Sequence, residues 1–211
     1  MRFVLPLVAL AAAVAVPVIA QNAPQVPGQP DKTRVAAGTY AADSAHTMVV
    51  WEVDHLGFSK YTGIFGDVTG TLVLDPANPA ATKVDVTIPV AKVTTANAGL
   101  TAHLLRAGKD GGKPDFFGAA PADAKFVSTS VVLDDDGDDA KVTGNLTLNG
   151  VTRPVTLDVD FHGAGTGMNK KETVGFQAET TIKRSDFGIA YGIPMVSDEV
   201  ELEIHAAFEK Q

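Results

Sequence analysis

The strongest constraint on the fold of this 211-residue chain is a hydrophobic pattern of period two that begins near residue 38. Along 199–208, for example, Val200, Leu202 and Ile204 alternate with acidic residues. Such alternation is typical of a strand with one buried face and one solvent-facing side. We count eight segments of this kind, near residues 46–55, 64–75, 83–90, 124–133, 142–148, 155–161, 174–182 and 200–208.

Residues that favour turns separate these segments. Asn149-Gly150, between two alternating stretches, is the strongest hairpin signal, and turns are also expected at 75–79, 134–139 and 163–167. Eight antiparallel strands that each have one apolar face either close into a barrel or stack as a sandwich. The interior of an eight-stranded barrel is filled by side chains or holds one small ligand.

One segment departs from the β pattern. Between the third and fourth strands, Ala96–Ala107 has Leu100, His103 and Leu104 at helical spacing, which predicts a single helix that could serve as a lid. The following segment, Pro114–Ala119, could form a second short helical turn.

The first twenty residues predict export. They contain one charge, Arg2, followed by an uninterrupted non-polar run from Phe3 to Ala20. This pattern predicts a signal peptide (1–20) cleaved after about Ala20; a membrane anchor is the alternative, since about 18 apolar residues could span a bilayer. Residues 21–37, rich in Pro, Gln and Ala, are expected to form a flexible leader, and 38–211 the folded domain.

Composition excludes several classes of protein. The chain has a formal net charge of −8, so it lacks the basic surface that nucleic acids or anionic membranes attract. It has no cysteine, which excludes disulfides and thiolate chemistry. The fold must therefore be stable through its core alone, and the chain is long enough for one such domain.

No group of residues predicts catalysis, a metal site or a cofactor. The five histidines lack metal-ligand spacing, the acidic run 134–139 lacks the pattern of an EF-hand loop, and no serine lies in a Gly-x-Ser-x-Gly context. His162 and His205 belong to outward faces, whereas His55 shares the face of Trp51 and is expected to point inward. An inward histidine can be a satisfied core residue or a polar contact for a ligand, and the sequence leaves both readings open.

The inward faces carry almost no charge. Such an interior suits a hydrocarbon chain, because each buried methylene is worth about 0.8 kcal/mol. A barrel filled by its own side chains is the alternative, and periodicity alone favours it. The inward residues are Val49, Trp51, Val53, Val84, Val86, Leu146, Leu148, Phe161, Phe176 and Ile204.

Six sequence blocks stand out from about Gly38 onward: Asp43-x-x-His46-Thr47, Val49-x-Trp51-x-Val53-x-His55, Gly63-x-Phe65 with Gly70, His103-Leu104 followed by Phe116-Phe117, the stretch from Gly144 to Val155, and Arg184-Ser185-Asp186-Phe187-Gly188. They occur in the order found in a known family, and the chain resembles that family, the YceI-like family of polyisoprenoid-binding periplasmic proteins.

This resemblance implies an all-β, eight-stranded antiparallel lipocalin-like barrel whose tunnel sequesters a long isoprenoid lipid. The lipid would be a polyprenyl phosphate or an isoprenoid quinone, or a fatty-acid-like substitute, bound as a ligand by a periplasmic carrier without enzymatic activity. The family motifs place Trp51, Val53, His55, Phe65, His103, Leu104, Phe116, Phe117 and Phe187 in the tunnel, joined from the inward faces by Leu146, Leu148, Phe161, Phe176 and Ile204. Arg184 and Asp186 could instead form an ion pair at the barrel end.

The chain departs from the family pattern at the tunnel mouth. Thr101 and Gly118 stand where the family usually has acidic residues, and Lys109–Lys113 looks like an insertion. We hypothesise that Arg106, Lys109 and Lys113 contact an anionic head group; a merely solvated loop is the alternative.

Further expectations concern partners and rival functions. A membrane or a membrane protein is expected to donate the lipid transiently, and a homodimer is an additional expectation. The rival functions are an enzyme that uses an inward histidine as general base and a stress-related structural protein with a filled barrel.

Overall fold

The computed structural model describes residues 25–134, 137 and 139–211, so the predicted signal peptide lies outside the described residues. The described chain forms one antiparallel sheet and one short α-helix, α1 (Ala98–Leu104). The strands are β1 (Gly38–Ala42), β2 (Met48–His55), β3 (Ser59–Phe65), β4 (Thr69–Leu74), β5 (Lys83–Ile88), β6 (Thr94–Thr95), β7 (Ala124–Leu133), β8 (Asp139–Leu148), β9 (Val151–Thr166), β10 (Glu172–Lys183) and β11 (Glu199–Lys210).

The sheet closes into a barrel. Its strand order is β1-β4-β5-β7-β8-β9-β10-β11, and β11 pairs back onto β1. The same edge of β11 also pairs with β2, which in turn pairs with β3, so β2 continues the position of β1 and β3 continues that of β4. The described segments therefore occupy eight barrel positions, which confirms the predicted eight-stranded antiparallel barrel. The short β6 adds to the outer edge of β3.

The two interrupted strands bend at specific residues. Between β1 and β2, the Thr47 hydroxyl donates to Ala207 O (3.0 Å) and accepts from Ala207 N (3.1 Å), so a side chain replaces the backbone ladder. Beyond the bend between β3 and β4, Gly70 has a φ of +141°, and a Cβ there would lie 2.2 Å from Asp85 O. Only glycine fits at that position, because both the backbone angle and the space exclude a side chain.

The barrel has two distinct ends. The mouth end consists of α1, the hairpin turns around Gly57 and Gly150, and the loop 184–198. The far end consists of the segments 75–82 and 167–171, the ends of β7 and β8 at Leu133 and Asp139, and the N-terminal segment. Asn149 and Gly150 both have positive φ and connect Leu148 to its partner Val151, which confirms the predicted hairpin.

Several local predictions need correction. β9 runs on to Thr166, so residues 163–166 are strand rather than turn. β5 ends at Ile88 because Pro89 has no N–H to donate, which removes Val90 from the predicted strand. The helix is shorter than the predicted 96–107: Asn97 caps its start by accepting from Leu100 N (3.1 Å). The segment 114–119 forms bends rather than a helical turn.

The described part of the predicted leader lies against the barrel. Gln29 and Ala164 exchange two backbone hydrogen bonds of 3.0 and 2.9 Å. Val35 packs in the cluster around Tyr40, whose hydroxyl donates to Ala36 O (2.6 Å). This segment covers the edge of β9 beyond the point where β8 stops pairing with it. The domain boundaries near residues 20 and 37 stay predictions.

In the described chain, buried apolar side chains form four clusters around the barrel. Tyr40, Leu72 and Phe208 form a cluster at the far end, and Val93, Ile182 and Phe187 form one at the mouth end. The interior between them is the cavity described below. Within the described ranges, the search for bilayer-spanning helices finds no candidate.

Candidate ligand-binding cavity

A cavity of about 740 Å³ runs through the barrel interior. Its walls extend from His55 and Tyr191 at the mouth end to Leu74 and Pro79 at the far end. The walls arise from the period-two pattern, because every second residue of a barrel strand points inward. The barrel is therefore hollow, and the filled core that periodicity alone favours is wrong.

The chemistry of the walls is apolar. Aliphatic and aromatic side chains dominate, with hydroxyls from Thr47, Thr82, Thr95 and Thr180. In the part of the chain that the structure describes, no aspartate, glutamate or lysine lines the cavity. Its only strongly basic group is the buried Arg184. Such a surface favours an apolar ligand over water.

Most predicted ligand-binding residues meet in this cavity. His55, His103, Leu104 and Phe116 lie toward the mouth end. Together with them, Trp51, Val53, Phe65, Phe117, Leu146, Leu148, Phe176 and Ile204 line the cavity walls. Their contact with a ligand stays a prediction.

Two predicted residues lie behind the wall. Phe161 packs edge-on against Phe176, with ring centroids 5.9 Å apart, where a β-bulge shifts the register between Gly175 and Phe176. Phe161 packs in the far-end cluster and is not among the residues that line the cavity. Phe187 is fully buried in the mouth-end cluster, where it supports the wall without forming it.

A histidine-carboxylate pair stands at the mouth. His103 Nε2 lies 2.7 Å from Asp115 Oδ2, and Arg106 Nη2 donates to the same oxygen at 2.7 Å. The bonds to His103 and then to Arg106 lower the pKa of the Asp115 carboxyl. The mouth therefore has a carboxylate, that of Asp115 next to Phe116. The two positions at which the family resemblance leads one to expect acidic residues, Thr101 and Gly118, carry none.

Three aromatic rings contact one another beside this pair. The His103 ring meets Phe116 and Tyr191 edge-on, with centroids 5.3 and 5.7 Å apart, and Phe116 meets Tyr191 at 5.5 Å. This contact joins α1 to the loop 184–198. Because Asp115 also holds His103, this side of the mouth is fixed by both a polar and an aromatic contact.

His55 lies at the edge of the mouth. It ends β2, forms an isolated bridge with Val196 and faces the cavity opening, as its strand parity predicts. Its side chain is nevertheless exposed, so it is not a core histidine. His55 thus lies on the predicted inward face of β2, at the exposed end of the barrel.

Arg184 organises the loop that follows β10. Its guanidinium donates to four carbonyls: Ile189 O (3.1 Å), Tyr191 O (2.9 Å), Val196 O (2.8 Å) and Ser197 O (2.8 Å). Burial lowers the pKa of Arg184, and the nearby Asp198 opposes this shift. The alternative of an Arg184–Asp186 ion pair is wrong, because the guanidinium binds backbone carbonyls instead.

The proposed head-group cations lie outside the cavity walls. Arg106 binds Asp115, and Lys113 Nζ donates to Gly188 O at 2.8 Å. With Lys109, they belong to the exposed loop beyond α1. Their role toward a head group stays a prediction.

Two buried polar atoms of the wall residues have no hydrogen-bond partner. They are Trp51 Nε1 and the Tyr61 hydroxyl. Sequence analysis missed Tyr61, although it shares the face of Phe65 on β3, a signal that strand parity contains. It also missed Tyr191 and Val196, which lie in a loop without any periodic pattern.

The fold and the cavity together define a class of protein: closed antiparallel β-barrels that enclose an apolar, ligand-sized space. The YceI-like domain family matches residues 40–208, and the chain belongs to that family. It is 42% identical over 163 residues to protein YceI of Escherichia coli O17:K52:H18, which covers 77% of this chain and 81% of that protein.

Solved structures share the architecture. Crystalline BcnA of Burkholderia cenocepacia superposes with a TM-score of 0.65 at 27% identity, covering 79% of this chain and 98% of that one. A polyisoprenoid binding domain from Saccharophagus degradans, implicated in plant cell wall breakdown, gives a TM-score of 0.55 at 14% identity and covers 83% and 100%. At that identity the second likeness concerns the fold alone.

Proposed function

We propose that the protein binds a long-chain isoprenoid lipid in the barrel cavity and carries it through the periplasm. The ligand is a polyprenyl phosphate or an isoprenoid quinone. The single observation that carries this proposal is the apolar cavity of about 740 Å³ that runs between the two ends of the barrel.

An empty space of that size argues for an occupant. Protein interiors are close-packed, with few voids larger than a water molecule, whereas ligand sites commonly measure about 300–1,000 Å³. Arg184 is the one strongly basic group of the walls, and its guanidinium is already bound to four carbonyls, so the space gives water few hydrogen bonds and an apolar chain displaces it favourably. Burying about ten methylenes would contribute roughly 8 kcal/mol before ordering costs.

Two considerations favour an isoprenoid chain and a binding role. The Saccharophagus degradans domain with this fold is described as binding polyisoprenoids. Within the described residues, the cavity walls carry no carboxylate that could act with His55 or His103 as an internal acid-base pair. At the mouth, the Asp115 carboxylate binds His103 and Arg106 and so holds α1 to its neighbouring loop.

Trp51 offers a direct assay. It is the only tryptophan of the chain and lines the cavity, so a quinone bound there should quench its fluorescence. We expect saturable quenching on titration with a short-chain isoprenoid quinone delivered from detergent. Native mass spectrometry of protein isolated from its own source, followed by lipid extraction, should identify the natural ligand.

A matched pair of variants tests whether the ligand enters the barrel. Ala178 lines the cavity on β10, and its neighbour Glu179 points outward. Ala178→Phe should fill part of the cavity and weaken quinone quenching by about tenfold or more, whereas Glu179→Phe should leave it unchanged. Absence of quenching in the wild type, together with a ligand-free native mass, would refute the proposal.

A further inference from the structure

Five large apolar side chains surround the cavity mouth and face solvent. Leu56, Phe58, Leu100, Tyr191 and Met195 are all exposed, and we call them the apolar rim. Phe58 is 88% exposed and Met195 58% exposed. Leu100 and Tyr191 also line the cavity, so the rim and the cavity walls form one continuous apolar surface.

The rim consists of three segments that contact one another. The tip of the β2–β3 hairpin bonds to the long loop through Leu56 N and Met195 O (2.7 Å). The same loop contacts α1 through the Tyr191 and His103 rings. The exposed side chains are therefore held in place by the fold.

These segments carry no fixed charge. Residues 56–59, 93–105 and 187–197 contain no Asp, Glu, Lys or Arg, in a chain in which 20% of residues are charged. Twenty-eight residues of average composition would include about five or six charged ones. The charge-free segments thus carry the apolar rim, and the nearest charges, Arg106, Lys113 and Asp115, belong to the adjoining loop.

The backbone of the long loop is satisfied from within. Arg184 binds the carbonyls of residues 189, 191, 196 and 197, Asn149 Nδ2 binds Phe187 O, and Lys113 Nζ binds Gly188 O. The carbonyls of 190, 192 and 195 accept backbone N–H groups. Every carbonyl from 187 to 192 and from 195 to 197 therefore has a partner inside the protein.

A loop that remains in water does not need this arrangement, because water satisfies exposed carbonyls. In the hydrocarbon region of a bilayer, by contrast, each unsatisfied backbone group costs several kcal/mol. The hairpin tip follows the same rule: Gly57 N donates to Asp54 Oδ1 (2.7 Å) and Phe58 N donates to His55 O (3.1 Å).

We propose that the apolar rim inserts into the surface of an electrically neutral phospholipid bilayer and places the cavity mouth against the acyl chains. This inference rests on the proposed lipid-binding function and names the surface from which that site is loaded. Phe58, Met195 and Tyr191 would enter the interfacial region, where Tyr and apolar side chains partition favourably.

Charge and shape favour a neutral bilayer over other partners. The chain has a formal net charge of −8, so an anionic membrane would repel the protein body. The exposed rim side chains surround an opening, and a deformable lipid surface can adapt to such a shape. A protein interface instead requires a matching, close-packed surface with a polar periphery.

Vesicle flotation tests the proposal. With phosphatidylcholine vesicles, we expect wild-type protein to co-float and Phe58→Ser/Met195→Ser to partition at least about tenfold more weakly. The control is Val132→Ser/Met168→Ser at the far end, whose side chains are 61% and 97% exposed. The control should float like the wild type, and mixing an anionic phospholipid into the vesicles should weaken binding at low salt.

Quinone quenching of Trp51 separates this inference from the function on which it rests. Both double variants should bind detergent-delivered quinone like the wild type, because none of the four substituted residues lines the cavity.

If quenching fails in the wild type, the lipid-binding function fails. If quenching succeeds but the wild type does not float, or floats equally well without Phe58 and Met195, the bilayer proposal is overturned. If Phe58→Ser/Met195→Ser floats like the wild type but no longer transfers lipid, the rim contacts a protein partner instead, and the bilayer proposal is again overturned.

Discussion

The indole ring of Trp51 lies against the backbone of Gly63, its partner across β2 and β3. A Cβ at position 63 would lie 2.1 Å from Trp51 Cζ2 and 2.9 Å from the carbonyl oxygen of Thr94. Because backbone blocks one side and the ring blocks the other, the absence of a side chain at Gly63 determines where the cavity's only tryptophan can lie.

Replacing Gly63 with alanine should therefore displace the indole ring. We expect Gly63→Ala to lower the free energy of unfolding by about 1–3 kcal/mol, as overpacking typically does, and to change the emission of Trp51. Urea unfolding followed by fluorescence measures both effects. Gly66→Ala is the control, since a Cβ there meets nothing within 4 Å. Equal stability of the two variants would contradict the expectation.

Much of the cavity wall was predictable, because the alternation along one strand shows which of its residues point inward even when the neighbouring strands are unknown. Trp51, Val53 and His55 alternate along β2 and all face the cavity or its mouth. Parity does not show how far along the barrel a residue lies: Phe161 has the inward parity of Val159 and pairs with Phe176, yet it packs in the far-end cluster. Position along the barrel axis leaves no mark on the alternation of a strand.

The mouth was less predictable for a different reason. Tyr191 and Val196 owe their positions to Arg184, whose guanidinium binds carbonyls rather than particular side chains. Backbone acceptors are the same at every residue, so sequence contains no pattern for such contacts. Asp115, similarly, is set opposite His103 by the fold of an irregular segment.

The N-terminal segment offers a second steric test. A Cβ on Gly165 would lie 2.2 Å from Pro27 O, so Gly165→Ala should detach the segment from β9. We expect hydrogen exchange at the Gln29 and Ala164 amides to accelerate, while the barrel loses only about 1 kcal/mol of stability. Gly175→Ala, whose nearest contact would be 3.7 Å, should leave exchange at Gln29 unchanged. If Gly165→Ala also leaves it unchanged, the glycine is not required for docking.

The His103–Asp115 contact should make the mouth sensitive to acid. The folded protein lowers the pKa of Asp115 below its unfolded value of about 3.9. Ionised Asp115 therefore stabilises the fold fully above that value, and this contribution disappears as pH falls through the lowered pKa. The stability difference between wild type and Asp115→Asn should thus be present at about pH 5 and shrink below about pH 4.

A double-mutant cycle tests whether the stability difference between wild type and Asp115→Asn comes from the contact with His103. In a His103→Phe background, which removes the first bond to Asp115, Asp115→Asn should change the free energy of unfolding less than it does in the wild type. Urea unfolding at several pH values provides the measurement. Additive effects of the two substitutions would show that the contact contributes nothing to stability.

The stability of the loop 184–198 at the mouth should depend on the buried Arg184 more than on any side chain that the loop exposes to solvent. Arg184 is only 5% exposed, and its removal would leave four carbonyls without their donors. We expect Arg184→Ala to lower the free energy of unfolding by about 3–5 kcal/mol and to accelerate hydrogen exchange at 189–197. Arg184→Lys should recover only part of this loss, because an ammonium group cannot span carbonyls arranged around a planar guanidinium.

Arg153 provides the matched control, since it is exposed and, among the described residues, its guanidinium binds only the neighbouring Thr152 O (3.1 Å). Arg153→Ala should change stability by less than about 0.5 kcal/mol and leave exchange in the loop unaltered. If Arg184→Ala behaves like Arg153→Ala, the loop is held by its aromatic contacts with α1. In that case Tyr191→Ala should reproduce the loss that we assign to Arg184, because Tyr191 joins the loop to His103 and Phe116.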